Sequence, residues 1–263
     1  MKVGFIGCGN MGGALARAVS RVLDTKVYIS DYNEEKAIAF AKEIGAEKSD
    51  NLSIAGECDF IFLGVKPNVV GSVLDNIKGE LAKNPRGVLV SMAAGVSLER
   101  LASLVGDYPI IRIMPNTPVS VGHGMISWCK NSIVTKEAAE KFESILTEAG
   151  KTLYIDEGLI DAATAVAGCG PAFVYMFADA LSEGGARCGL DRAVALTLAA
   201  ETLKGAAEMV LKGEKSPEQL RIDVCSPGGS TIEGVHVLQN GSFEEDTVNA
   251  VIASFEKTKK LGS

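Results

Sequence analysis

The sequence predicts an α/β protein in which a doubly wound parallel sheet is followed by an all-helical second domain. Three observations carry this. Short, near-continuous apolar runs alternate with helix-period segments up to about residue 157, as a parallel sheet covered on both faces requires. The first run passes directly into Gly7-Cys8-Gly9-Asn10-Met11-Gly12, a glycine-rich turn of the kind that joins a strand to a helix. Beyond about residue 158 the strand signal stops and only helical patterns remain. A chain of 263 residues is long enough for two domains, and their expected spans are 1–157 and 158–263.

The elements follow in order. Residues 3–6 form the first expected strand, and Ala14, Leu15, Ala18 and Val19 continue the glycine turn as a helix. Residues 26–30 carry Val27, Tyr28 and Ile29, residues 59–65 carry Phe60-Ile61-Phe62-Leu63, and 87–90 and 109–113 are further β-rich runs. Between them, Val70, Val73, Leu74, Ile77 and Leu81 recur on one helical face. Leu98, Leu101 and Leu104 do so after Ser97, a good N-cap, and before Gly106, a good C-cap. Phe142, Ile145, Leu146 and Ala149 make another stripe, closed by Gly150.

In the second half, residues 159–181, 191–211, 217–223, 230–238 and 242–261 read as helices. Ser216-x-x-Gln219, Ser230-x-x-Glu233 and Ser242-x-x-Glu245 have the form of capping boxes, and Pro217 stands at a favoured first helical position. The uncharged stretch 162–178 is interrupted by Gly168-Cys169-Gly170-Pro171. A membrane span needs about 20 predominantly apolar residues, so this stretch is expected to be a buried helix, and no membrane partner is expected.

Composition narrows the function. Lys plus Arg number 26 against 33 Asp plus Glu, a net charge of −7. A nucleic-acid backbone needs a positive footprint, so no nucleic-acid partner is expected. Hydrophobic residues at 47% and charged residues at 22% exclude a disordered chain. The apolar start over residues 1–7 is too short and glycine-rich for a signal peptide. Cysteines at 8, 58, 129, 169, 188 and 225 include no C-x-x-C pair, and the histidines are His123 and His236. No metal site is expected, and reduced thiols fit a cytoplasmic protein.

The first glycine motif, set between strand and helix, is the fingerprint of a dinucleotide site. Gly7 permits the tight turn, Gly9 lets the backbone approach a pyrophosphate, and Gly12 lets the helix pack on the strand. The helix N-terminus adds N–H donors and partial positive charge. Asp31 follows the second strand, where an acidic side chain accepts from the adenosine ribose and favours NADH over NADPH; capping the next helix is the competing role. Gly64-Val65-Lys66-Pro67 and Met92-Ala93-Ala94-Gly95 end later strands, and ligands bind outside the carboxyl ends of parallel strands. A surface lysine and a tight turn are the plainer readings of those two segments.

A second glycine motif, Cys225-Ser226-Pro227-Gly228-Gly229-Ser230-Thr231-Ile232-Glu233, opens a helix in the second domain. Its free N–H groups could hold a carboxylate, and Thr231 offers a hydroxyl. A capped helix–helix turn would have the same spacing.

Several segments together resemble the pyrroline-5-carboxylate reductase family: Phe5 to Gly12, Val65-Lys66-Pro67, Ala93-Ala94-Gly95-Val96, Met114-Pro115-Asn116-Thr117-Pro118, Gly168 to Ala172, and Ser226 to Glu233. The resemblance covers nearly the whole chain. It implies a Rossmann-type N-terminal domain and a C-terminal helical domain through which two chains form a homodimer, in the family often assembled further into a higher ring. By the same resemblance Gly7, Cys8, Gly9, Asn10, Met11, Gly12, Ser30, Asn51, Gly64, Val65, Lys66, Pro67, Met92, Ala93 and Ala94 contact NADPH or NADH. Glu157, Ser226, Gly229, Ser230 and Thr231 bind substrate, with Thr231 catalytic. The implied reaction moves a hydride to the imine carbon of pyrroline-5-carboxylate, giving L-proline, the last step of proline biosynthesis.

The chain departs from the family where Arg221-Ile222-Asp223-Val224 replaces the common Lys-Asp-x-Val, so Asp223 is not assigned a contact. One alternative is a reductase of a related imine, and another a β-hydroxyacid dehydrogenase. The latter resembles G-x-G-x-x-x-K-x-x-x-N, but Val174 and Ala178 stand at its Lys and Asn positions here. A non-catalytic dinucleotide sensor would need the first glycine motif and not the second.

Overall fold

The computed structural model describes residues 1–261. It contains one sheet of eight strands: β1 (Lys2–Ile6), β2 (Lys26–Ser30), β3 (Glu47–Lys48), β4 (Phe60–Leu63), β5 (Val88–Ser91), β6 (Ile110–Met114), β7 (Gly124–Lys130) and β8 (Gly150–Tyr154). Their spatial order is β3-β2-β1-β4-β5-β6-β7-β8. Strands β1 to β6 pair in parallel, while β7 pairs antiparallel with β6 and parallel with β8. The order reverses between β1 and β4, which defines the switch point where ligands of such sheets bind.

The sheet is covered on both faces, and alternate side chains enter two cores. Val3, Phe5, Phe60, Phe62, Val88, Val90, Ile111 and Ile113 share one core with helices α1 (Asn10–Val19), α2 (Glu34–Ile44) and α6 (Lys136–Ser144). Ile6, Ile61, Leu63, Leu89 and Ile110 share the other with α3 (Asn51–Glu57), α4 (Val70–Leu81) and α5 (Leu98–Val105). Phe5 stacks on Phe62 with ring centroids 4.6 Å apart, and Trp128 lies 5.1 Å from Phe142. The doubly wound architecture read from the sequence is therefore the one observed.

Three strands have no counterpart in the sequence expectation. β3 has two exposed residues, and β8 shows exposed Leu153 and Tyr154. β7 is buried along nearly its whole length, including Ser127 and Cys129, so neither alternation nor an apolar run marks it. The stripe expected to run to Gly150 ends as helix at Ser144, and Gly150 opens β8 with φ 139°. A Cβ on Gly150 would meet the Gly124 carbonyl oxygen, so glycine is required there.

The remaining helices are α7 (Ile160–Ala163), α8 (Gly170–Arg187), α9 (Arg192–Lys212), α10 (Pro217–Asp223), α11 (Ser230–Asn240) and α12 (Phe243–Leu261). The chain divides into two compact units, Met1–Cys169 with Ser254 onward, and Gly170–Ala253. In the second unit α8 packs on α9, burying Ser182, Ala195 and Ala199, and Phe177 lies 5.5 Å from Phe243.

Local details correct the sequence reading. The helix expected over 159–181 contains a π-turn at Thr164–Gly168 between α7 and α8, and it is not buried: Val166, Tyr175 and Met176 are exposed on the single chain. Ser216 accepts from the Gln219 N–H as a cap should. Ser230, however, is the first residue of α11 and Gly229 is its N-cap, while Ser242 donates to Asp246.

Candidate functional site

The first glycine motif is shaped by what surrounds each glycine. Gly7 has φ +96°, and a Cβ there would lie 2.7 Å from the Gly64 carbonyl oxygen. A Cβ on Gly12 would lie 2.3 Å from the Gly7 carbonyl oxygen, and one on Gly64 2.4 Å from the same atom. These three glycines let β1, β4 and α1 approach one another. Gly9 is different: a Cβ there would meet nothing within 4 Å. It caps α1 with no side-chain acceptor, so the first N–H groups of the helix face open space.

A cavity of about 1040 Å³ adjoins this turn at the carboxyl ends of β1, β2 and β4. Gly7, Gly9, Ser30, Asp31, Asn51, Gly64, Val65 and Lys66 line it. Cys8 and Gly12 are buried and Met11 packs partly buried against the core, so the three stand outside the cavity lining. Asn10 and Pro67 are exposed, and Met92, Ala93 and Ala94 follow β5 outside the cavity lining. Ile6, Tyr32, Asp50, Leu52, Val69, Val73 and Asn76 complete the lining. Sequence reasoning did not assign these to the site; Ile6, Tyr32, Asp50 and Leu52 each stand next to an expected contact, whereas Val69, Val73 and Asn76 carried no such signal.

Ser30 Oγ donates to Asn51 Oδ1 at 2.7 Å, so β2 and α3 meet at the cavity wall. Asp31 Oδ2 accepts from the Cys8 N–H at 2.8 Å and from Cys8 Sγ at 3.2 Å, and Oδ1 accepts from the Asn33 N–H at 3.0 Å. The cap of α2 is Asn33, whose Oδ1 accepts from the Lys36 N–H. Burial and the Asp31 hydrogen bond push the Cys8 thiol up to about 11, so it stays protonated and donates. Burial alone would raise Asp31, but the N–H groups of Cys8 and Asn33 outweigh it and hold its carboxyl below the usual value. Lys66 is exposed on the lining and pairs with no carboxylate among the described residues.

Glu157 is tied into the first unit. Its Oε1 accepts from the Leu98 N–H at 2.7 Å, the first N–H of α5, and from Arg112 Nη1 at 3.0 Å. Arg112 is buried on β6, and its Nη2 lies 3.6 Å from Asp161 Oδ1. Oε2 of Glu157 accepts no hydrogen bond among the described residues, and its side chain is 32% exposed. Asn116, in the MPNTP segment, donates to the Ala167 carbonyl oxygen within the π-turn and accepts from the Met125 N–H.

In the second unit the other glycine motif forms a tight turn. The Gly229 N–H donates to the Ser226 carbonyl oxygen at 3.0 Å, and Gly228 has φ +70°. A Cβ on Gly229 would lie 2.6 Å from Ser226 Oγ. Gly229 caps α11 with no side-chain acceptor, as Gly9 caps α1. By contrast, α2, α3, α5, α6, α9 and α10 receive side-chain caps from Asn33, Asp50, Ser97, Thr135, Asp191 and Ser216. The hydroxyls of Ser226, Ser230 and Thr231 are exposed, with no protein partner among the described residues. Asp223 is engaged by Lys215 and Gln219. Among the described residues no group of three or more His, Cys, Asp or Glu is placed to hold a metal.

Comparison with known proteins fits these features to a family. A family model described as pyrroline-5-carboxylate reductase dimerisation matches residues 157–261, and one described as NADP oxidoreductase, coenzyme F420-dependent, matches residues 2–95. The pyrroline-5-carboxylate reductases of Arabidopsis thaliana and Escherichia coli (strain K12) are each 38% identical over 99% of this chain, and 95% and 98% of their own. The chain belongs to the pyrroline-5-carboxylate reductase family. A crystal structure of the Plasmodium falciparum pyrroline carboxylate reductase with NADP bound is 35% identical, covers 100% of this chain and 98% of that one, and superposes at TM-score 0.86. A pyrroline-5-carboxylate reductase from Coxiella burnetii, 31% identical over 99% and 98% of the two chains, superposes at 0.91. The dimerisation segment of the family covers Glu157 and the whole of the second glycine motif.

Proposed function

We propose that the protein is a pyrroline-5-carboxylate reductase, an NAD(P)H-dependent oxidoreductase that reduces a cyclic C=N bond to give L-proline in the last step of proline biosynthesis. One observation carries the reading beyond family membership: α1 and α11 each open on a glycine cap, leaving their first N–H groups without a side-chain acceptor. Such ends attract anions, and this reaction has two anionic partners, a pyrophosphate and a substrate carboxylate.

The open space over Gly9 and the cavity beside it fit a dinucleotide. Gly7 to Gly12, Ser30, Asp31, Asn51, Gly64 to Pro67 and Met92 to Ala94 would hold it. When bound, the reduced nicotinamide supplies the hydride. Ser226, Gly229, Ser230 and Thr231 would hold the substrate carboxylate and ring, with the Thr231 hydroxyl donating to or accepting from the ring nitrogen. Oε2 of Glu157 is the oxygen free to meet substrate, because Oε1 is committed to Leu98 and Arg112. Catalysis rests on orientation; the proton on the imine nitrogen can come from water, and His123 and His236 carry no acid–base role in this reading.

The division of labour we infer is dinucleotide binding by 1–157 and substrate binding and dimerisation by 158–263. The partner is a second copy of the chain, joined through the C-terminal helices, with a larger ring possible by repetition. All six thiols are unpaired, which fits a reducing cytoplasmic setting.

The test is spectrophotometric: oxidation of NADH and NADPH by the purified protein with pyrroline-5-carboxylate, with proline as product. No oxidation with either cofactor overturns the reading. Thr231→Ala is expected to lower turnover by about tenfold or more while dinucleotide binding persists. Unchanged steady-state turnover would remove Thr231 from the catalytic role.

A further inference from the structure

We propose that Asp31 makes this chain select NADH over NADPH. The inference rests on the dinucleotide reading of the cavity and deepens it. Asp31 follows β2 and lines that cavity. Its carboxylate is fixed by Cys8 N–H, Cys8 Sγ and Asn33 N–H. A carboxylate offers about four lone-pair positions, so one remains for an incoming donor. A ribose 2′-hydroxyl supplies that proton. A 2′-phosphate supplies only acceptor oxygens and a charge of about −1.5 to −2.

The charges around Asp31 point the same way. Asp50 lines the same cavity, and Glu34 and Glu35 stand in the first turn of α2. Lys48 is paired with Glu34. Lys36, one turn into α2, is the cation whose field reaches Asp31. Lys66 lines the cavity after β4, not β2. At the start of α2 the Lys36 N–H is already taken by Asn33 Oδ1. Of the charged side chains that line the cavity, Asp31 and Asp50 are carboxylates and Lys66 is an ammonium set beyond β4, so a 2′-phosphate beside β2 would meet the Asp31 carboxylate with Lys36 as the nearby cation. The position beside Asp31 belongs to Tyr32, whose side chain is fully exposed and also lines the cavity.

The test separates this inference from the reaction by leaving the imine out. Isothermal titration of the full chain with NADH and with NADPH is expected to give a dissociation constant for NADH lower by about tenfold or more, since like charges brought together cost several kcal/mol. Asp31→Ser is expected to bring the two constants together or reverse their order. Asp31→Asn keeps an acceptor for the Cys8 N–H, so it tests the charge without removing the turn's support; it is expected to gain NADPH affinity. Equal or tighter NADPH binding by the unaltered chain overturns the inference alone. So does an unchanged ratio in a folded Asp31→Asn protein. Binding of neither cofactor overturns the dinucleotide reading and this inference with it.

Discussion

Gly9 and Gly12 lie three positions apart in one motif and answer to different masters. A Cβ on Gly12 would collide with the Gly7 carbonyl oxygen, a backbone atom that cannot swing aside, whereas a Cβ on Gly9 would touch no protein atom. Gly12→Ala is therefore expected to destabilise the fold by about 1–3 kcal/mol, the usual cost of overpacking. Gly9→Ala should cost at most about 1 kcal/mol through the poorer cap, yet weaken dinucleotide binding by about tenfold or more because the methyl intrudes where the pyrophosphate approaches. Urea denaturation and titration with NADH check the pair; equal stability losses, or undiminished affinity in Gly9→Ala, would reject the assignment. The spacing of these glycines was legible in the sequence because their roles follow from a local turn. The support of that turn by Asp31 was not, since Asp31 and Cys8 are 23 positions apart and only the pairing of β1 with β2 brings them together. The competing role of Asp31 as the cap of α2 falls to Asn33 instead.

At the level of elements, helices with their own caps and stripes could be read from sequence, and strands without a solvent-facing alternation could not. Ser97 and Gly106 bracket α5 as their types predict. β7 escaped because both of its faces are covered, and β3 and β8 because neither carries enough apolar side chains to form a run. What joins the start of α5 to β6 was also hidden: Glu157 meets Leu98 59 positions away and Arg112 45 positions away. Arg112 is buried and depends on Glu157 and the more distant Asp161 for charge compensation. Removing one partner of a buried pair costs about 3–5 kcal/mol, mostly from the charge left behind, and exposed pairs are worth less than about 1 kcal/mol. With Glu157 a third exposed, Glu157→Ala is expected to cost about 2 kcal/mol, and Glu157→Gln less, because an acceptor for the Leu98 N–H remains. Urea midpoints at one protein concentration check this; no loss in Glu157→Ala would show that the pair holds nothing together. A raised KM in Glu157→Gln at near-normal stability would point to its free oxygen and the substrate.

Across the whole molecule, the two cores of the sheet are closed by the chain itself, but the C-terminal helices are not. Met176 on α8, Leu198 and Leu211 on α9 and Val237 on α11 are 73%, 54%, 83% and 73% exposed. Single exposed apolar side chains are ordinary on a surface, but so many large ones on the C-terminal helices are unusual for a monomer. The stretch Glu157–Arg187 even has the length and mean hydropathy, 1.4, of a helix that could cross a membrane. The expectation of a buried helix there fails on the single chain, because periodicity reports that a face is apolar and not what covers it. A second copy is the favoured cover, since residues 157–261 match the dimerisation segment of the family. Obligate dimer interfaces of this apolar kind bury about 2,000 Å² or more. Sedimentation equilibrium is accordingly expected to return at least twice the 27.5 kDa chain mass. The unfolding midpoint should rise with protein concentration, because association stabilises the folded form by mass action. Met176→Glu and Leu198→Glu, each placing a charge on the bare face, should shift the mass toward the single chain and lower the midpoint, while the dinucleotide cavity, built wholly from residues 6–76, keeps its affinity for cofactor. A single-chain mass at micromolar concentration in the unaltered protein would defeat this account of the exposed helices.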